Sequence, residues 1–184
     1  PSGVEVIMSG QTTEQRESFF WLTLSIIVGI VLVYMVMASQ FESLVDPFVV
    51  MFSVPFVFTG TIWFLLLFGH HISIIAFIGV LLLIGVVVNN AIVLVDYINI
   101  LRARGLDLFP AVQQACKTRL RPVLMTAFTT IFALIPMAFG KGQGSEVWNP
   151  LGLTIFGGLL VSTLVTLILV PTVYTIFEYR FKQK

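Results

Sequence analysis

Two adjacent primary amides, Asn89 and Asn90, interrupt a stretch of sequence that is otherwise apolar from Ile74 to Val95. An amide so placed needs a polar partner or water, which makes lipid an unsuitable neighbour. Asp96 follows Asn89 by seven residues, two helical turns along nearly the same face. Arg119 and Thr126 repeat that spacing on the next apolar stretch, where Thr129 and Thr130 follow. Amides, a carboxylate, a guanidinium and hydroxyls set within apolar helices suit the passage of a proton or an ion along a watery path. Each has a plainer alternative. Asp96 would pair with Arg102 or Arg104 at headgroup level, and the threonines would bond back to their own helix carbonyls. Ser162, Thr163 and Thr166 admit the same two readings.

Other chemistry finds less support. The sequence has no HExxH, GxSxG or GxGD motif, and no apolar stretch holds two acids, so no enzymatic activity is expected. His70 and His71 are adjacent and would point about 100° apart on a helix, which fits polar residues in an interfacial turn better than metal ligands. The single cysteine, Cys116, excludes an internal disulfide and a cysteine-based zinc site. No metal, cofactor or nucleic-acid partner is expected.

The elements that must position these residues are set by composition. Of 184 residues 58% are apolar and only 10% are charged, against roughly 25% charged in ordinary soluble domains. With a mean hydropathy of +1.02, the main solvent of this chain is lipid. Five apolar spans emerge, at about 19–39, 47–68, 74–98, 122–139 and 151–179, each close to the length that crosses a hydrocarbon core about 30 Å thick. Asp46-Pro47 and Asn149-Pro150 read as helix caps followed by first-turn prolines, and Arg121-Pro122 as an uncapped start. Pro55, Pro136 and Pro171 fall inside spans, where kinks are expected. The fold class is therefore all-α, a polytopic transmembrane bundle of five spans. The connection 99–121 adds a short amphipathic helix around Phe109 to Cys116, lying on the membrane surface.

Basic residues orient the chain. Arg102, Arg104, Lys117, Arg119 and Arg121 in that connection share one side with Arg180, Lys182 and Lys184 of the tail, 180–184, whereas the other side carries Arg16 and Lys141. The positive-inside rule then puts the amino end outside and the carboxyl end in the cytoplasm. Counting about 1.5 Å per residue from the cytoplasmic ends places Asn89 roughly 13 Å deep and Thr126 roughly 6 Å deep. Pro1 is not an initiator Met and no signal segment follows, so the chain reads as part of a longer polypeptide.

Three motifs in order carry a resemblance. Ala38-Ser-Gln-Phe-Glu-Ser-Leu-Val-Asp-Pro47, the run Gly79-Val-Leu-Leu-Leu-Ile-Gly-Val-Val-Val-Asn-Asn-Ala-Ile-Val-Leu-Val-Asp-Tyr97, and Thr118-Arg-Leu-Arg-Pro-Val-Leu-Met-Thr126 resemble the resistance-nodulation-division (RND) efflux permeases, in their hydrophobe/amphiphile branch. The resemblance spans essentially the whole chain, as the last five of the family's twelve membrane helices. It implies that residues 1–18 end a periplasmic domain. It also implies a homotrimer in the bacterial inner membrane that exports amphiphiles in exchange for protons, with a periplasmic adaptor and an outer-membrane channel. The amino-terminal half of the same permease, which would hold the paired proton-carrying acids, is then a required partner. Residue by residue, Arg119 and Thr126 match the family's arginine and threonine, while the family's relay lysine falls on Asn89. A non-transporting sensor or scaffold that keeps the same helix packing is the competing expectation.

Overall fold

The computed structural model describes residues 9–181, so the expectations for residues 1–8 and for Lys182 and Lys184 lie outside the described residues. Six helices occur among the described residues: α1 Ser9–Phe41, α2 Val45–Met51, α3 Val54–Leu67, α4 Ile74–Ala103, α5 Leu108–Phe139 and α6 Ser145–Phe181. No strand occurs among the described residues, and the chain is an all-α bundle. Five spans result, because α2 and α3 together make one crossing, Val45–Leu67. At about 1.5 Å per residue the 30 residues of α4 extend about 45 Å, longer than a hydrocarbon core about 30 Å thick.

α6 lies at the centre, packed against α3, α4 and α5, while α1 rests mainly on α4 and α2. Half of the most apolar stretch is buried in both α4 and α6, against 6% in α1, so α1 is the peripheral helix. On α4 the buried face runs Leu83, Val87, Ala91, Leu94 and Ile98, and on α6 it runs Leu159, Ser162, Thr166, Val170 and Tyr174. Both sets recur at three to four residues, the period of one helix face. Small residues mark the close approaches. Gly60 of α3 sits against Gly157 and Gly158 of α6, and Gly152 of α6 against the Met137–Ala138 backbone of α5. Lipid tails are as apolar as these side chains, so helices associate through such close contact.

Helix ends depart from the sequence expectations: α1 begins at Ser9 and α6 at Ser145, ahead of the apolar spans they contain. α5 begins at Leu108, not at Pro122. The expected surface helix is thus the first turns of α5 itself, with Ala111 and Ala115 buried against the bundle. Pro122 removes only one backbone bond from a 32-residue helix whose first turn Asp107 already starts, its carbonyl accepting from the Ala111 amide at 2.9 Å. Asp46 and Asn149 do not cap. Each lies inside its helix and turns its side chain to another element: Asp46 accepts from Asn99 Nδ2 at 2.9 Å, and Asn149 donates to the Gly140 carbonyl at 3.2 Å. The latter satisfies a carbonyl at the end of α5.

Of the expected kinks, Pro55 gives a full break. It stands at the start of α3, and Phe52 and Ser53 before it form a tight turn through amide bonds to Val49 and Val50 carbonyls, supplemented by Ser53 Oγ donating to Val50 at 2.7 Å. The pyrrolidine ring would collide with the carbonyl four residues earlier in a continuous helix. Helices α5 and α6 run on through Pro136 and Pro171. Between α1 and α2, Glu42 takes φ 48°, and between α4 and α5 Gly105 takes φ 88°, left-handed conformations that reverse the chain.

Candidate functional site

The polar residues singled out in the sequence lie mostly on the outside of this bundle. Asn89, Asp96 and Thr126 are exposed, and Asn90 and Arg119 are half-buried. On α4 the exposed stripe runs Leu82, Gly85, Val86, Asn89, Asp96 and Ile100, spaced as one helix face. None of the hydrogen bonds resolved among the described residues involves the side chains of Asn89, Asn90 or Asp96. The carboxylate that meets Arg102 is Glu178, at 3.6 Å, so the pairing of Asp96 with Arg102 is not formed. Thr126, Thr129 and Thr130 donate to the carbonyls of Val123, Met125 and Thr126 at 3.0, 2.7 and 2.9 Å. Their hydroxyls thus follow the back-bonded alternative while remaining on or near the exposed face.

One side-chain contact ties α4 to α5 next to these residues. The Arg119 guanidinium carbon lies 4.6 Å from the centre of the Tyr97 ring, so the residue after Asp96 is tied to the arginine seven residues before Thr126. Arg119 Nε is buried there without a hydrogen-bond partner. Ser162, Thr163 and Thr166 lie elsewhere, in the bundle interior. Ser162 donates to the Leu159 carbonyl at 3.3 Å, while the hydroxyls of Thr163 and Thr166 are buried without a partner. They belong to the packing of α6 and not to the exposed face.

A polar cluster that sequence reading missed fastens the end of the bundle where α4 terminates. Tyr174 of α6 donates its hydroxyl to Asn99 Oδ1 at 2.6 Å, and Asn99 in turn donates to Asp46 of α2. Arg102 adds the pair with Glu178 and a bond to the Leu106 carbonyl at 3.2 Å. These groups border a cavity of about 790 Å³ with Phe41 and Phe177 among its walls. Hydrogen bonds of this kind within membrane proteins contribute roughly 0.6 kcal/mol each on average, so the cluster sets the register of α2, α4 and α6 more than it stabilises them. The partners are 53 and 75 positions apart in sequence. His70 and His71 occupy the turn between α3 and α4, and no group of residues able to hold a metal ion occurs among the described residues.

The same chain matches the AcrB/AcrD/AcrF family over residues 1–178. It is 43% identical, over its whole length, to the swarming motility protein SwrC of Bacillus subtilis, and 38% identical to the multidrug resistance protein MdtC of Salmonella enteritidis. In each case it spans 18% of the relative's length. The crystal structure of a heavy metal efflux pump superposes with a TM-score of 0.84 at 32% identity, over 93% of this chain and 17% of that one.

Proposed function

Because the chain belongs to the AcrB/AcrD/AcrF family of RND permeases, and because Asn89, Asp96 and Thr126 face outward from an apolar bundle, we propose that it is the carboxyl-terminal membrane part of a proton-driven efflux permease exporting amphiphilic compounds. The observation that carries this is that Asn89 and Asp96 on α4 and Thr126 on α5 are exposed, while Arg119 of α5 rests on Tyr97 of α4. Polar groups at membrane depth do not face lipid at low cost, so this face is built to be covered by protein or water. The remainder of the relatives' length supplies the cover: the amino-terminal half, with its paired acids, docks here. Arg119 holds positive potential at the cytoplasmic mouth, Thr126 and Asn89 offer hydrogen bonds along the path, and Asn90 and Asp96 flank it.

The complete permease sits in the inner membrane as a trimer, joined by a periplasmic adaptor and an outer-membrane channel, and residues 1–18 end its periplasmic domain. Addition of an amphiphilic dye to energised inverted vesicles holding the complete permease is expected to dissipate the pH gradient faster than in vesicles lacking it. Equal rates would remove the transport reading and favour a scaffold.

The orientation has its own test. With Cys116 replaced by alanine, a cysteine at Asp107→Cys should react with impermeant reagent only from the cytoplasmic side, and Gly142→Cys only from outside, as the distribution of basic residues requires. Gly142 is suitable because a side chain there meets nothing within 4 Å. Labelling of position 107 in intact cells would reverse the topology.

A further inference from the structure

We propose that Tyr97 is the positioning residue of Arg119, holding its guanidinium through the face of the ring so that the charge stays at the mouth of the α4/α5 face. This rests on the role given above to Arg119. An arginine on a membrane helix has a long stem and would otherwise swing toward the headgroups to find water and phosphate. In this structure the guanidinium carbon lies 4.6 Å from the ring centre, within the range at which the negative face of an aromatic ring attracts a cation. Nε is buried and has no hydrogen-bond partner among the described residues, so the ring contributes where a carboxylate or carbonyl commonly would.

The arrangement also links the two polar helices. Tyr97 follows Asp96 on α4, and Arg119 stands two turns before Thr126 on the same side of α5. A ring on one helix gripping a cation on the other fixes the position of the charge relative to both stripes. The charged groups near this contact on its own elements are Asp96 on α4 and Lys117 and Arg121 on α5, all exposed. None of them forms a hydrogen bond or ion pair resolved among the described residues.

The test separates ring electronics from ring shape. In the complete permease, Tyr97→Phe and its mono-, di- and trifluorinated forms keep the shape while withdrawing charge from the ring face. Drug-dependent proton flux in vesicles should be retained in Tyr97→Phe and should fall stepwise with each fluorine, to a total of roughly three- to tenfold. Tyr97→Trp should retain flux and Tyr97→Met should lose it. A series that stays flat with fluorination, or Tyr97→Phe as defective as Tyr97→Met, would overturn the inference. Arg119→Ala is measured beside them. If it transports protons normally, the role assigned to Arg119 itself has failed. If it is inactive while the fluorinated series is flat, only the positioning by Tyr97 has failed.

Discussion

Asn89→Leu in the complete permease is expected to leave the amount of assembled protein unchanged and to reduce drug-dependent proton exchange at least about tenfold. The side chain is exposed on α4 and has no hydrogen bond resolved within the described residues, so its removal disturbs no packing seen in the bundle. Under the proposed function, what it removes is a partner for the acids of the amino-terminal half. A hydrogen bond to a charged group contributes roughly 1.5–3 kcal/mol, and 1.36 kcal/mol corresponds to one pKa unit. Losing the amide destabilises the ionised carboxylate, so that acid's pKa rises by roughly one to two units. It then holds its proton at cytoplasmic pH and release fails. Asn89→Lys has the opposite sign: a nearby cation favours the carboxylate, and coupling should operate at lower pH than in the parent. Asn90→Leu should cost less, since Asn90 points about 100° away from Asn89 and is half-buried. Undiminished exchange in Asn89→Leu vesicles would show Asn89 to be a packing residue.

The spans were legible in the sequence because lipid imposes one strict demand, an unbroken apolar stretch long enough to satisfy its own backbone. Helix ends were harder to read, and the reason is visible in particular residues. Asp46 and Asn149 have the side chains of caps, yet Asn99 and the Gly140 carbonyl compete for them from elsewhere in the fold. The Pro122 signal lost to a run beginning at Leu108 that forms helix well and buries Ala111 and Ala115. The candidate residues stand out in the sequence as polar groups out of place in apolar helices. Their direction does not, because a membrane helix is apolar toward lipid and toward protein alike, and periodicity distinguishes the two faces poorly. Tyr97 escaped notice for a related reason. An aromatic ring near the end of a membrane helix is commonplace, and only the position of Arg119 above it gives it a task.

The fourteen glycines of the sequence look alike until neighbours are known, and the smallest substitution then discriminates most sharply. Alanine in place of glycine ordinarily favours a helix by about 1 kcal/mol. Gly152→Ala is nevertheless expected to be strongly destabilising, because the added methyl would sit 2.7 Å from the Ala138 nitrogen, 2.8 Å from its Cα and 2.9 Å from the Met137 carbonyl carbon. These are backbone atoms of α5, and relief requires moving the whole helix away from α6. At Gly158 the methyl meets the end of the Leu83 side chain and lies 2.9 Å from Thr61 Oγ1. A leucine terminus can swing aside, so Gly158→Ala should be milder, whereas Gly158→Leu would overfill the gap between α3, α4 and α6 and reduce assembled protein severely. Gly29 is the contrast: its added methyl would meet Leu81 at 3.6 Å, an ordinary contact, and Gly29→Ala should be neutral or stabilising. Overpacking typically costs 1–3 kcal/mol where neighbours can shift, so thermal unfolding of the complete permease in detergent should place Gly152→Ala lowest among the three alanine variants. A Gly152→Ala protein that melts with the parent would mean that α5 and α6 are not held at backbone contact. Since Arg119 and Thr126 belong to α5, which is held by its packing on α6 and α4, that separation would also displace the face to which the proposed function assigns proton coupling.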